Sequence, residues 1–334
     1  MGKLAVLTSG GDAPGMNAAI RAVVRKALNE GLEVYGVKRG YAGVIDGDFV
    51  ELNGSSVSDI IGRGGTFLRS ARCNEFRTTV GRQKAAQKLS NKGIKNLVVI
   101  GGDGSFTGAK LLSEETGINT VGVPATIDDD IACTDDSIGY DTALNTIIDA
   151  INKIRDTASS HERAFVIETM GRHAGFLALA AGLAGGAESI LIPEKKVDVD
   201  SMCHTIQKDY EEGKIHSIIL VAEGVELEGQ QFKTNRGLDE SPAFSLSKEI
   251  SQRTDFEARV TILGHIQRGG APTGRDRLLA SRLGAAAVDR LLLGESNVMV
   301  GLVNNEIQSS PIKDALEQEK EINMDLYNLS TILS

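Results

Sequence analysis

The chain has 334 residues, which at roughly 150 per domain predicts two domains, and its 41% hydrophobic and 24% charged content is that of an ordered globular protein. A net charge of −9, 4% aromatics and no Trp argue against nonspecific nucleic-acid or anionic-membrane binding and leave little for base stacking. The longest apolar stretch, Phe176–Ala187, is too short for a bilayer, no signal-peptide pattern opens the chain, and the 3 cysteines form no CxxC pair, so a cytoplasmic protein without disulfides or cysteine metal sites is expected.

Lys3–Thr8 (KLAVLT) reads as a buried strand, followed by the turn Ser9–Gly15 and a helix to about Asn29 that stops at Gly31. Glu33–Val37 is a second strand. Gln83–Ser90 reads as a helix ending near Gly93, and Leu97–Ile100 (LVVI) as a strand buried on both faces. Gly101–Gly104 then leads into a helix to about Ser113, and strand Thr120–Val123 is closed by Pro124. Tyr140–Thr157 is a long helix with Ile147, Ile148, Ile151 and Ile154 at helical spacing, suited to connect two lobes. Strands at Ala164–Glu168, Ser189–Ile192, Ser217–Ala222, Arg259–Leu263 and Val298–Val303 follow. They alternate with helices at His173–Leu183, Asp200–Glu211, Phe244–Thr254 and Asp276–Leu293. A last helix near Pro311–Glu319 precedes a loose tail. Such alternation implies an α/β fold of two lobes, each a mostly parallel sheet flanked by helices, with ligands at the carboxyl ends of the strands.

The P-loop pattern GxxxxGK[ST] is absent, as are GxGxxG after the first strand, GxSxG and HExxH. Gly101-Gly102-Asp103-Gly104-Ser105 instead follows a buried strand and opens a helix. Glycines there let the backbone approach a polyphosphate, and the helix amides favour the anion. A carboxylate among them suits phosphate only with a bridging Mg²⁺. Ser9–Asn17 (SGGDAPGMN) repeats the design after the first strand. Thr126-Ile127-Asp128-Asp129-Asp130 follows a third strand. In an extended segment Asp128 and Asp130 face together while Asp129 points away, placing a candidate general base at a strand end. Positive charge is available from Arg72, Arg77, Arg163, Arg172, Arg259 and the run His265–Gly270, several of them after strands and positioned to clamp phosphate.

In order, LTSGGDAPGMNAAIR (7–21), RGGTFLRSAR (63–72), VVIGGDGS (98–105), SSHER (159–163), MGR (170–172) and LGHIQRGG (263–270) resemble the bacterial ATP-dependent 6-phosphofructokinase family nearly end to end. The resemblance implies a phosphofructokinase-like fold. Its ATP-binding domain spans 1–139 plus about 265–310, and its fructose 6-phosphate domain spans about 140–264 plus 311–334. It implies ATP positions at Gly11, Tyr41, Arg72, Cys73, Gly102, Asp103, Gly104, Ser105 and Gly108, with Asp103 the Mg²⁺ carboxylate. Catalysis falls to Asp128 as base, Arg172 on the transferring phosphoryl group, Thr126 and Gly11. Sugar contacts are implied at Thr126, Ile127, Asp128, Met170, Gly171, Arg172 and Glu223. Arg163 and Arg259 match 6-phosphate clamps that the family supplies from a neighbouring subunit, joined by His265, Ile266, Gln267 and Arg268. A cytoplasmic homotetramer with shared sites follows.

Some positions depart from the family pattern. The family usually reads Pro-Gly-Thr-Ile-Asp-Asn-Asp, where this chain has Ala125 and Asp129, and Phe176 replaces a usual Asp. Pyrophosphate-using relatives carry Asp at Gly104 and Lys at Ala125, so both positions favour ATP. A pyrophosphate-dependent enzyme and a catalytically silent nucleotide-binding subunit are the alternatives. Arg21, Arg25, Arg155, Gly186, Glu188, Lys214 and His216 match the family's effector positions for ADP or phosphoenolpyruvate. Gly54, Glu212 and Ile215 stand where basic residues are usual, so weakened allosteric control is expected.

Overall fold

A computed structural model of the protein describes residues 2–161, 163–227, 241–254 and 256–333. Glu162 of the 159–163 motif lies outside the described residues, as do the end residues Met1 and Ser334 of the expected domain ranges.

The chain begins β1 (Lys3–Thr8), α1 (Met16–Asn29), β2 (Glu33–Val37), α2 (Gly40–Asp46), β3 (Phe49–Leu52), α3 (Thr79–Asn91), β4 (Asn96–Gly101), α4 (Asp103–Thr116) and β5 (Asn119–Pro124). It continues through α5 (Tyr140–His161), β6 (Ala164–Thr169), α6 (Phe176–Gly185), β7 (Ser189–Leu191), α7 (Val199–Glu211), β8 (Ser217–Ala222), α8 (Pro242–Arg253) and β9 (Ala258–Ile262). It closes with α9 (Gly274–Leu292), β10 (Val298–Val303), β11 (Glu306–Pro311), α10 (Ile312–Glu317) and α11 (Met324–Leu333). Two units result: Met1–Thr142 with Arg268–Lys320, and Ala143–Gln267 with Glu321–Ser334.

The first unit holds a seven-stranded sheet in the order β11-β10-β5-β4-β1-β2-β3. The run from β10 to β2 is parallel, and β11 and β3 pair antiparallel at the two edges. Central strands carry apolar residues on both faces because helices cover both: Leu4, Ala5, Val6 and Leu7 of β1 are fully buried, as are Leu97, Val98, Val99 and Ile100 of β4. Each Val, Leu or Ile so buried contributes about 1.5–3 kcal/mol relative to exposure. Helices α1 and α9 pack closely: a Cβ added at Gly284 would lie 2.7 Å from the Ala19 carbonyl oxygen. The second unit holds a parallel four-stranded sheet, β7-β8-β6-β9.

Several elements differ from the sequence reading. The antiparallel edge strands β3 and β11 and the short α2 lacked a signal, because β3 is short and half-buried and β11 (EIQSSP) is polar and half-exposed. The helix expected from His173 starts at Phe176, after the buried Gly175, whose added Cβ would meet Ile192 at 2.5 Å. The tail is not loose: it forms α11, which packs on α6 and β7. The segment 311–334, expected whole with the second body, divides, because β11 pairs with β10 and α10 packs on α4, so residues to Lys320 belong to the first unit.

Candidate active site

Strands β1, β4 and β5 are neighbours, with Thr8 beside Ile100 and Gly101 beside Pro124, so the loops after them stand side by side at one end of the first sheet. In the first loop Gly15 takes φ 108° to turn the chain into α1. Gly11 is exposed, and a Cβ there would lie 2.7 Å from Arg268 Nη1, which donates to the Asp12 carbonyl at 3.1 Å. The segment from Arg63 lies against this loop: Asn17 donates to the carbonyls of Arg63 and Gly64 and accepts from Phe67 N at 2.8 Å, and Ser70 Oγ donates to the Gly10 carbonyl at 2.7 Å. That segment delivers exposed Arg72 and half-buried Cys73; Arg77 is also exposed.

In the second loop Gly101 has no room for a side chain: a Cβ would meet the Ser9 carbonyl oxygen and lie 2.5 Å from Ser105 Oγ. Gly102 is the N-cap of α4 and offers no side-chain cap, so the positive end of the helix faces the loop, as an anion site requires. Asp103 sits half-buried in that first turn, and around Gly104 an added Cβ would find nothing within 4 Å. One hard carboxylate beside an opening at a helix N-terminus fits Mg²⁺ shared with nucleotide phosphates. Tyr41, matched to the adenine side, is a supporting residue. It is buried, stacked on Phe76 at 3.9 Å, and donates its hydroxyl to the Ser105 carbonyl at 2.6 Å. Gly108 makes room for that ring, its added Cβ lying 2.9 Å from Tyr41. Burial pushes the Tyr41 phenol far up, so it remains a donor.

The third loop buries Thr126, Ile127, Asp128 and Asp129 and leaves Asp130 half-buried. The Asp128 amide donates to Thr126 Oγ1 at 3.2 Å. Extension fails at Asp129, which takes φ 56°, so the alternation that paired Asp128 with Asp130 does not apply. Asp129 turns neither to solvent nor along the strand direction. Its Oδ1 accepts from Ser137 N at 2.8 Å and lies 2.9 Å from Ser137 Oγ, and its Oδ2 pairs with Lys320 at 2.7 Å. Burial pushes the Asp129 carboxyl up to about 6, opposed by Lys320 and the Ser137 bonds.

In the second unit, Met170, Gly171 and Arg172 follow β6, Glu223 follows β8, and residues Gly264–Gln267 of the helical turn Gly264–Arg268 follow β9. Glu223 Oε1 accepts from Gly171 N at 3.2 Å and Arg172 N at 2.9 Å, and Gln267 Oε1 accepts from Met170 N at 3.2 Å. Gln267 is fully buried and also donates to the Gly264 carbonyl, while His265 and Ile266 are exposed. Arg172 is exposed with φ 53°. Arg163 and Arg259 lie at the opposite, amino ends of β6 and β9, both paired with Glu257. Six strand residues at about 3.3 Å each separate those ends by about 20 Å. Arg163 and Arg259 therefore do not join Arg172 and Glu223 within one chain.

Of the effector positions, Arg155, Gly186, Glu188 and Lys214 come together. Arg155 donates to the carbonyls of Gly185 and Gly186, and Glu188 faces Arg155 at 3.5 Å and Lys214 at 3.8 Å. His216 is half-buried nearby in sequence, whereas Arg21 and Arg25 lie on α1 of the first unit. Gly54, Glu212 and Ile215 are exposed. Sequence reasoning missed Asn17 as the holder of the 63–67 segment, although it stood in a quoted motif. It also missed Ser137, Lys320 and Asp276, whose carboxylate accepts from Gly139 N and Thr142 N at 2.8 Å each. No local pattern marks these three.

A model of the family described as Phosphofructokinase matches residues 3–291. The ATP-dependent 6-phosphofructokinase of Halothermothrix orenii is 61% identical over 334 residues, covering all of both chains. That of Halalkalibacterium halodurans is 57% identical with the same coverage. The structure of phosphofructokinase from Saccharomyces cerevisiae superposes with a TM-score of 0.86 at 36% identity, over 100% of this chain and 47% of the yeast chain, so this chain spans about half the length of that relative. Among the described residues no helix is long and apolar enough to cross a membrane.

Proposed function

We propose, from the premise that the chain belongs to the phosphofructokinase family, a division of labour among its residues for the reaction of an ATP-dependent 6-phosphofructokinase. That reaction moves the γ-phosphoryl group of ATP onto the 1-hydroxyl of D-fructose 6-phosphate, giving fructose 1,6-bisphosphate and ADP. The transfer needs alignment, a proton acceptor and positive charge more than covalent help. The observation that carries the reading is the row of three loops after the neighbouring strands β1, β4 and β5, the last carrying buried Asp128 and the middle one opening α4.

Gly11, Arg72, Cys73, Gly102, Gly104, Ser105 and Gly108 form the ATP side, with Tyr41 holding the first turn of α4 from beneath. Asp103 would hold Mg²⁺, which when bound offsets the charge of the polyphosphate. Asp128 accepts the proton of the 1-hydroxyl as its oxygen attacks phosphorus. Thr126 and Ile127 shape the loop around the sugar, the Thr126 hydroxyl accepting from the Asp128 amide. Arg172 neutralises the transferring group, with Met170 and Gly171 beside it contacting the sugar, and Glu223 fixes the backbone of the Met170–Arg172 turn. Gly11, close against Arg268, leaves the first loop's backbone open to the phosphates.

Arg163 and Arg259, with His265 and Arg268, clamp the 6-phosphate. Because Arg163 and Arg259 sit about 20 Å along the sheet from Arg172, the clamp they form serves a neighbouring subunit. That supports sites shared between chains, in line with the cytoplasmic homotetramer the family resemblance implies. ATP rather than pyrophosphate is the donor: Gly104 and Ala125 lack the carboxylate and ammonium carried by pyrophosphate users, and Gly104 leaves open space. ADP or phosphoenolpyruvate can reach the site around Arg155 and Lys214 only in competition with Glu188. A coupled assay of fructose 6-phosphate turnover tests the reading. Turnover with MgATP and none with pyrophosphate is expected, and turnover with pyrophosphate alone would reverse the donor.

A further inference from the structure

The residue after the base is the position where this chain carries Asp instead of the family's usual Asn. Its carboxylate is buried with its neighbours rather than solvated. Asp129 Oδ2 meets Lys320 Nζ at 2.7 Å, with the two side chains only 6% and 17% exposed. The same ammonium donates to the Asp135 carbonyl at 2.8 Å. On its other oxygen, Asp129 accepts from the amide of Ser137, whose hydroxyl stands 2.9 Å away and also 2.7 Å from the Thr126 carbonyl. One hydroxyl proton serves one of those acceptors at a time, so the amide and the ammonium are the constant donors to Asp129.

These contacts pin the catalytic loop on both sides of Asp128. Thr126 is tied through Ser137 before it, and Asp129 is tied through Ser137 and Lys320 after it. The anchor is itself hydrogen-bonded to the sheet. Ile138 donates to the Pro124 carbonyl at 3.1 Å, Asp135 N donates to Leu302 of β10 at 2.7 Å, and Leu302 N donates back to Thr134 Oγ1 at 3.0 Å. Lys320 is the last residue of the first unit, so a side chain far from the loop in sequence closes it.

We propose that Asp129 and Lys320 form a buried clasp that sets the position of the Asp128 carboxylate for proton transfer, making both of them positioning residues. The inference rests on the reading of Asp128 as the base. A buried ion pair is strongly sensitive to losing one member, because the remaining charge has no compensation. Lys320→Met leaves the Asp129 carboxylate in that state, and the loop must move or the carboxylate must take a proton. Asp129→Asn in the same chain removes the charge while its carbonyl oxygen keeps the Ser137 amide. Displacing a catalytic group by about 1 Å lowers turnover on the order of 10²-fold.

The test is steady-state kinetics of the full-length Lys320→Met and Lys320→Met/Asp129→Asn enzymes at saturating MgATP and fructose 6-phosphate, with thermal melting of each. Lys320→Met is expected to lower kcat by about 10–100-fold while KM for ATP holds. The double variant is expected to recover most of that loss. A clasp that only stabilises the fold would lower Tm and leave kcat of the folded enzyme unchanged, which overturns the proposal, as does a double variant no better than the single one. If Lys320→Met does not fold, Ser137→Ala, which keeps the ion pair, decides. A fall in kcat at constant KM supports the clasp, and unchanged kcat overturns it. Asp128→Ser is run alongside: near-full turnover in it would remove the base assignment whatever Lys320 does.

Discussion

Asp129 shows how far a single side chain can stand from its sequence expectation. Its burial holds the carboxyl up at about 6 against an ordinary 3.8, with Lys320 opposing. A carboxyl whose folded pKa lies above its unfolded one binds more protons folded than unfolded between the two values. Its contribution to stability is therefore least unfavourable below about pH 4 and worsens as pH rises through 6. Asp129→Asn removes that dependence, so its stability relative to the wild type should gain by up to about 3 kcal/mol from pH 4 to pH 7, on top of a pH-independent loss from leaving buried Lys320 without its carboxylate. Paired thermal melts across that range measure the gain, and a pH-independent difference would show that Asp129 does not titrate there. The residues at 126–130 were legible as a loop at the end of a strand. The direction of Asp129 was not, because one left-handed residue cancels the alternation of an extended segment. Its partner lies 191 positions away, beyond any local pattern.

At the scale of elements, the parallel core strands were readable because each is a run of apolar residues covered on both faces, and the glycines after β1 and β4 marked the loops that follow. Edge strands β3 and β11 are half-exposed and carry no such run. The glycines of the second loop separate two roles. Gly101→Ala would press its Cβ onto the Ser9 carbonyl and should destabilise the fold by about 1–3 kcal/mol. Gly104→Ala meets nothing within 4 Å, so its Tm should stay near that of the wild type while the methyl group occupies space proposed for phosphate. KM for ATP in Gly104→Ala should rise about tenfold, equivalent to about 1.4 kcal/mol. Equal Tm losses in the two variants would contradict this separation.

Across the whole molecule, the sequence reading anticipated two units but not where the chain divides between them. Residues 311–320 belong with the first unit rather than the second, because the pairing of β11 with β10 decides it. Arg163 and Arg172 lie beyond opposite ends of β6, and the proposal that two chains complete one substrate site is open to test. Mixing and reassembling Asp128→Ser with Arg163→Ser subunits, each nearly inactive alone, should restore measurable turnover, whereas no recovery would place both residues in a site formed by one chain. Regulation belongs to the same scale. Glu188 already engages Arg155 and Lys214, and exposed Gly54, Glu212 and Ile215 add no positive charge. Losing two charged phosphate contacts at about 1.5–3 kcal/mol each weakens an anion by about 10²–10⁴-fold. Fructose 6-phosphate saturation should thus be nearly hyperbolic with or without millimolar phosphoenolpyruvate, and a right-shifted sigmoidal curve would show that the remaining basic residues suffice.

The central claim is that buried Asp128 is the proton acceptor in phosphoryl transfer from ATP. Steady-state kinetics of purified Asp128→Ser with fructose 6-phosphate and MgATP test it most directly. The account predicts a kcat lower by about 10²–10⁴-fold, with ATP binding retained because the loops after β1 and β4 are untouched. Turnover near the wild-type rate would contradict it.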